Sequence, residues 1–476
     1  MAITKIYESY DPTQLVTTDH VFAIQNLTGK LIEIGEDNSL YSAIAQSWQV
    51  SSDRRTYKFT LSPGAKFSDG TPIEVEDVLL SLKRQMLFSG THMDMRYKVL
   101  GAKALKRVTD DVPGLRRLSS SEFEIEIIAP DERFLFWIAF PETVILPRRE
   151  ALKPQGQISF AVTSGPYFLK PGNGYLHLEM NPHFYATHGS AAKCVHLYGE
   201  EDPERIVVRL MNHELDLVHS GSMFSPSFSK VVDSPDFELS TNESNSLVYF
   251  LFNTRNKVCV QRYHRRWFTE KIQSANLISY GKDKLFFPAN QFLARNQQGY
   301  LSPSEVEQSN AGAQASRPPV DVIRVLYPAV FGKTYENHLK AELVKSLGMQ
   351  VEIVTYLEGG LLEALASDQW DLFFFLVGMG EKATNILLSY HFGGQVPLYT
   401  WKDDVIDAAM RRMMATGDES DRKEQYKIIS KRLLSESYLI PIANFTWPVV
   451  LRSDLFFENP NQFEWGQPIW TLSWKN

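Results

Sequence analysis

The run Asp371-Leu-Phe-Phe-Phe-Leu-Val377 constrains this chain more than any other stretch, because an unbroken apolar segment of that length fits a central strand covered on both faces. What precedes it supplies the cover. Val322-Ile-Arg-Val-Leu-Tyr327 reads as a strand, and 334–347 reads as a helix with Tyr335, Leu339, Leu343 and Leu347 on one face and Gly348 as its C-terminal stop. Val351-Glu-Ile-Val-Thr-Tyr356 reads as a second strand and 361–366 as a short helix. This β-α-β-α-β order requires a parallel sheet with right-handed crossovers. Open parallel sheets bind ligands beyond the carboxyl ends of their strands, where the loops converge. Those ends are Tyr327-Pro328, Tyr356-Leu357 and Gly378-Met379-Gly380-Glu381. Gly378 and Gly380 either admit a ligand close to the backbone or make a tight turn.

Upstream the character differs. Tyr57-Lys-Phe-Thr-Leu alternates and runs into Ser62-Pro63-Gly64, a strand ending in a turn, and Phe123-Glu-Ile-Glu-Ile-Ile alternates likewise. Between them, 75–86 carries Val78, Leu79 and Leu82 at helical spacing. Residues 302–319 are rich in Ser, Gln, Ala, Asn and Pro without apolar periodicity, which predicts a surface linker or loop. No solenoid-period repeat is visible.

With 476 residues the chain exceeds what one core organises, so two or three domains are expected. Its 29 Phe, 20 Tyr and 9 Trp supply large cores. A net charge of -7 argues against a general nucleic-acid binder, and Arg262, Arg265 and Arg266 read as a solvated helix face. Cys194 and Cys259 fit one disulfide or two buried thiols equally. No apolar run is long enough to span a bilayer. The start, Met1-Ala-Ile-Thr-Lys-Ile-Tyr, lacks the pattern of a signal peptide.

The segment from Ala43-Ile-Ala-Gln-Ser-Trp48 through Asp53 and Tyr57-Lys-Phe59 to Lys66-Phe67-Ser-Asp69-Gly70-Thr71-Pro72-Ile-Glu-Val-Glu76-Asp77-Val78 resembles the signature of extracellular solute-binding proteins of the dipeptide- and oligopeptide-binding family, family 5. Further stretches agree in order: Tyr10-Asp11-Pro12, Ser164-Gly165-Pro166-Tyr167, Asn181-Pro182-His-Phe-Tyr185, Leu215-Asp216-Leu217, Tyr249-Phe-Leu-Phe-Asn253-Thr254, Leu347-Gly348-Met-Gln-Val351 and Trp370-Asp371. Within the signature, Trp48 reads as a core aromatic, Asp69-Gly70-Thr71-Pro72 as a turn, and Glu76-Asp77 as acids at a helix N-terminus.

The resemblance implies an α/β, two-lobed periplasmic-binding-protein fold, type II-like and of the large peptide-binding class, with an extra β-rich subdomain on the first lobe. It implies lobe I over 1–33, 159–252 and 448–476, the subdomain over 34–158, and lobe II over 253–447. Hinge crossings are expected near Asn253 and near Ile442-Ala443. It implies the substrate-binding component of an ABC importer, closing on a peptide or other small solute in an inter-lobe cleft and serving a membrane permease as a monomer. Neither cofactor nor metal is expected. The expected location is periplasmic or extracellular and membrane-associated if an export signal precedes this sequence, and cytoplasmic if the gene has none. A cytoplasmic sensory or regulatory domain of the same fold is the alternative.

Expected ligand contacts are Thr18 and Asp19 from the first lobe, with Tyr249, Tyr327, Tyr356, Gly378, Met379, Gly380, Glu381 and Trp401. Peptide-binding members carry a Trp and, three residues later, an amine-binding Asp after the strand equivalent to 371–377; the matching places here are Val377 and Gly380, with Glu381 the nearest acid. Glu381 is therefore either the carboxylate that meets a cationic part of the ligand or an acid opening a helix over 382–388. The usual acidic-Val-Arg pattern after Asn253 is replaced by Tyr263-His264-Arg265-Arg266-Trp267. No nucleophile elbow, zinc-protease helix or phosphate-binding loop supports catalysis. His213, Glu214, Asp216 and His219 form a metal-like run, but along a strand alternate residues face opposite ways, which favours a surface or edge reading.

Overall fold

A computed structural model describes the chain except residues 4, 15–17, 36–38, 89–94, 132–133, 187–190, 201, 220–224, 226, 242–245, 273–275, 278–285, 296, 313, 357–359, 378–383, 385–387, 389–391, 393–399, 417, 446–447, 459–468 and 476. It divides into two compact units. The first comprises Met1–Glu200, Asp216–His219 and Leu451–Asn476, and the second Glu201–Leu215 and Ser220–Val450.

Among the elements of the first unit are β1 (Ala2–Ile3), α1 (Thr18–Leu27), β2 (Ala45–Val50), β3 (Thr56–Leu61), α2 (Val75–Phe88), β4 (Leu115–Arg117), β5 (Glu122–Glu126), β6 (Tyr167–Lys170), β7 (Leu176–Met180), β8 (Cys194–Gly199) and β9 (Leu217–His219). Strands β2-β3-β5-β4 form an antiparallel sheet in that order. The alternation read in the sequence sends Tyr57, Phe59 and Leu61 of β3 and Phe123 and Ile125 of β5 into one core, where Phe59 stacks on Phe123 at 5.3 Å. Trp48 is not the core aromatic expected. It lies half-buried on β2, because β2 is the edge of that sheet and is covered poorly on both faces. Within a second sheet five strands run in the order β9-β1-β8-β7-β6, with β1 parallel to both neighbours and the β8-β7-β6 pairs antiparallel.

Helix α2 ties this unit together. Glu76 and Asp77 sit in its first turn, and the buried Asp77 carboxylate accepts from the Glu74 amide at 2.9 Å and from the Arg148 amide and Nε at 3.0 and 3.1 Å. Gly70, in the turn before it, has φ +83°, as the turn reading requires. Further along the helix, Arg84 forms a fully buried ion pair with Asp11 and donates to the Ala151, Lys153 and Pro154 carbonyls. Asp11 also accepts from the amides of Thr13 at 3.1 Å and Gly156 at 2.8 Å. The Tyr10-Asp11-Pro12 motif is thus a structural anchor.

In the second unit the elements include β10 (Ser246–Phe252), α3 (Arg262–Lys271), β11 (Phe286–Pro288), α4 (Pro303–Asn310), β12 (Val322–Pro328), α5 (Gly332–Leu347), β13 (Gln350–Tyr356), α6 (Leu361–Ala366), β14 (Leu372–Val377), α7 (Asp404–Ala415), α8 (Glu419–Ser435) and β15 (Leu439–Phe445). The expected β-α-β-α-β unit is present as β12-α5-β13-α6-β14, with β12 parallel to both β13 and β14. The complete sheet, ordered β11-β15-β10-β14-β12-β13, is mixed, since β10 runs antiparallel to β14 and β15. Gly348 closes α5 in the left-handed conformation at φ +60°. Trp370, Phe373, Tyr249, Leu251, Leu326, Leu365, Ile429 and Leu433 belong to one buried cluster beneath the sheet.

The register of the central strand is set by Asp371. Its buried carboxylate accepts from the Arg324 amide at 2.8 Å and from Asn256 Nδ2 at 2.8 Å, and pairs with the Arg324 guanidinium at 3.3 Å. Its own amide donates to the Arg324 carbonyl at 2.8 Å, and its carbonyl accepts from the Asn253 amide at 2.9 Å. Asn253, fully buried, also donates to the Trp370 carbonyl at 3.0 Å. Motif residues far apart in sequence therefore meet around one carboxylate.

Two readings are corrected. The linker expected over 302–319 contains α4, opened by a capping box in which Ser302 and Glu305 exchange hydrogen bonds. Glu305 is held at about 2 by the Ser302 amide, with Lys427 and Lys431 adding to it, while Val306 packs on Leu301 and Leu434. The Arg262–Lys271 helix is not simply a solvated basic face either. Arg265 is buried and donates to the Cys259, Val260, Glu436 and Ser437 carbonyls, with its guanidinium 5.1 Å from the Tyr438 ring. Of the two cysteines, Cys194 is exposed in the first unit and Cys259 buried in the second, and neither is in a disulfide.

Removing the Asp371 carboxylate strands the Arg324 and Asn256 amide donors and unpairs a half-exposed guanidinium. Asp371→Ala is expected to lower unfolding free energy by about 2–4 kcal/mol in urea titrations, whereas Ser302→Ala is expected to cost about 1 kcal/mol. Equal, small effects would show that the carboxylate is not the anchor.

Candidate functional site

Two of the parallel strands of the second unit, β12 and β13, end level. Pro328 pairs with Tyr356 in register, and β14 lies in parallel register on the other side of β12, with Val325 opposite Leu372 and Leu326 opposite Phe373. This carboxyl edge is where a doubly covered parallel sheet offers a ligand its loops. Tyr356 is half-buried there, its ring 6.0 Å from Phe373, and burial pushes its hydroxyl well above the usual phenol range. Gly378, Met379, Gly380 and Glu381 lie outside the described residues, as does the 382–388 helix read after them apart from Thr384 and Leu388.

The other aromatic candidates are held within the fold. Tyr327 has no exposed surface; its hydroxyl donates to the Gly332 carbonyl at 3.0 Å and its ring packs on Phe331 and Phe374. Tyr249 is equally buried, edge-on to Phe292 and Phe375. Trp401 is half-buried and stacks flat on Tyr438 at 4.5 Å. Tyr438 in turn donates to Asp403 Oδ2 at 2.9 Å, which also accepts from Arg432 Nε at 2.7 Å and caps α7.

In the first unit, Thr18 and Asp19 open α1. Asp19 is buried, with His219 Nδ1 at 3.7 Å, and His219 is stacked on Phe22 at 4.2 Å. The neighbouring His20 lies 3.7 Å from the Tyr7 ring centroid and 5.5 Å from that of Tyr10. Burial lowers His20 to about 4, against the opposing pull of the Ser9 backbone and Asp19, and raises Tyr10 to about 12. One acid and two imidazoles thus share an aromatic enclosure around the start of α1.

The 213–219 run does not converge. His213 approaches Asp236 at 3.7 Å, Glu214 pairs with Arg209 at 3.3 Å, Asp216 with Arg452 at 3.0 Å, and His219 faces Asp19. The sequence reading missed a different group. His177 of β7 and Cys194 and His196 of β8 bring their ligand atoms within 4.8 Å of one another. The readable signal was a His-x-Glu on one alternating strand and a Cys-x-His on the next, which becomes a cluster only once their pairing is known.

Because His20 titrates below its ordinary 6.5, the unfolded chain takes up this proton first as pH falls. Its contribution is complete above about pH 6.5 and is lost progressively toward pH 4, by up to about 3 kcal/mol. His20→Gln is expected to flatten the stability-pH slope across that window in denaturant titrations; an unchanged slope assigns the acid lability elsewhere.

Comparison with known proteins sets these observations in a family. The family of bacterial extracellular solute-binding proteins, family 5, middle, matches residues 39–271. The nickel-binding periplasmic protein of Escherichia coli (strain K12) is 21% identical, covering 93% of this chain and 88% of that protein. The dipeptide-binding protein DppE of Bacillus subtilis (strain 168) is 19% identical over 88% of this chain and 81% of its own. The crystal structure of the dipeptide-binding protein from Pseudoalteromonas sp. SM9913 in complex with Met-Leu superposes with a TM-score of 0.79 at 16% identity, covering the whole of both chains. At that identity the superposition shows the fold alone, and it is the α/β periplasmic-binding fold read from the sequence. Over residues 39–271, and through relatives that span most of its length, this chain is similar to the family 5 bacterial extracellular solute-binding proteins.

Proposed function

We propose that this protein is the substrate-binding component of an ABC importer, that it binds rather than transforms its ligand, and that it works outside the cytoplasmic membrane as a monomer presented to a membrane permease. The observation that supports this most directly is the level carboxyl edge of β12 and β13 beside the parallel β14, where such a sheet offers its loops to a small solute. The named relatives bind nickel and dipeptides, so the ligand class proposed is a short peptide or another small solute with a cationic or amine-bearing part.

In this reading Tyr356 supplies apolar contact at the edge, and Gly378, Met379 and Gly380 admit the ligand close to the backbone. Glu381 meets its cationic part. Tyr249, Tyr327 and Trp401, being packed into the second unit, act by holding the backbone that carries the contacts.

The ligand is identified by native mass spectrometry of protein purified without denaturation, and its affinity is then measured by calorimetry. Glu381→Gln is expected to weaken a cationic ligand by about 10- to 150-fold, the worth of a charge-assisted hydrogen bond of about 1.5–3 kcal/mol. Unchanged affinity would make Glu381 a helix-start acid and remove it from the site. A Tyr356→Ala variant of unchanged affinity would move the site away from this strand edge.

A further inference from the structure

We propose that His177, Cys194 and His196 form a binding site for a borderline divalent transition-metal ion, Zn2+ being the reference case, on the outer face of the β6-β7-β8 sheet in the first unit. The placement follows from strand geometry. His177 of β7 and His196 of β8 are directly opposite across an antiparallel pair, and Cys194 lies opposite Glu179, two residues along on the same face as His196. Leu178, Leu197 and Tyr167 point to the other face and are fully buried, so the three ligands stand on the solvent side, with Cys194 exposed and both histidines half-buried.

The distances suit an ion. Cys194 Sγ and His177 Nε2 are 3.2 Å apart, and the two imidazole centroids are 5.1 Å apart at 72°. A tetrahedral ion with bonds of about 2.3 Å to sulfur and about 2.0–2.1 Å to nitrogen separates those ligands by about 3.5 Å. Small side-chain rotations therefore close the set. Two imidazoles and a thiolate select Zn2+ and its softer neighbours over Mg2+ and Ca2+, which take oxygen ligands. Tyr175 walls one side, its ring 4.5 Å from His196 and 5.3 Å from Tyr198. On the other side Glu179 is engaged by Lys170, so the fourth position is left to water or to an exogenous ligand. When the ion binds, Cys194 gives its proton to solvent and the metal–sulfur bond replaces the S–H bond.

This site is independent of the solute site, and its test reads a different ligand. Zinc chloride alone is titrated into the full-length protein after treatment with a chelator, with Co2+ substitution as the optical readout. The expected result is one zinc ion per chain, a thiolate-to-cobalt charge-transfer band, and loss of about 100-fold or more in zinc affinity in Cys194→Ser and in His196→Ala, since even supporting residues of metal sites are worth 10- to 100-fold. The band disappears in Cys194→Ser while the thermal unfolding of the metal-free variant stays that of the parent. Retention of the zinc affinity in the triple variant His177→Ala/Cys194→Ser/His196→Ala, absence of the sulfur band in the parent, or competition by equimolar Mg2+ would each overturn the assignment.

Discussion

The buried carboxylate of Asp371 is the constraint on which the pairing of β12 with β14 in the second unit depends. A carboxylate removed from water has to be matched by donors, and here the Arg324 amide and guanidinium and the Asn256 side chain supply them. Arg324 belongs to β12 and Asp371 immediately precedes β14, so the pairing fixes which residues of the two parallel strands lie side by side. A slip of one residue would turn every side chain to the opposite face and leave the charge unmatched. Register at the amino end carries along this pair, setting Leu326 opposite Phe373, while β13 keeps its own register on the far side of β12.

The first unit solves a similar problem with Asp11 and Arg84. There the charge pair sits inside the unit and gathers backbone groups from 151–156, so a stretch with little regular structure is fastened to α2. Both anchors involve residues that carry the family resemblance, Tyr10-Asp11-Pro12 in one case and Trp370-Asp371 with Asn253 in the other. Their role is architectural. A binding protein reports occupancy through a difference between states, which requires that the surfaces touching the ligand do not deform on their own account.

How much of this was legible depended on the range of the signal. The β-α-β-α-β unit was readable because 371–377 is continuously apolar and Leu339, Leu343 and Leu347 repeat at helical spacing, local patterns that burial dictates. The helix at Pro303–Asn310 escaped because it buries only Val306, so periodicity is faint, although Ser302 and Glu305 spelled its capping box. Trp48 misled because residue type says nothing about whether a strand is an edge. Arg265 misled for the reverse reason, its burial being created by the Cys259–Val260 turn and by 436–437, remote in sequence. The His177–Cys194–His196 group needed the register of β7 against β8, which no window of sequence contains.

The candidate aromatics differ in how far the fold commits them. Tyr327 stands at the end of β12, yet its hydroxyl is committed to the carbonyl of Gly332, a residue at φ +77° where α5 begins. The side chain thereby fixes the turn from strand to helix at the carboxyl edge, and a ligand there would meet the backbone it holds rather than the ring. Trp401 is similarly committed, through its stack on Tyr438 and that residue's bond to Asp403, which caps α7. Tyr356 differs because it is half-buried at a strand end and packs on the core by one side only. At this edge Tyr356 therefore keeps accessible surface, whereas the hydroxyl of Tyr327 is already used to hold the backbone.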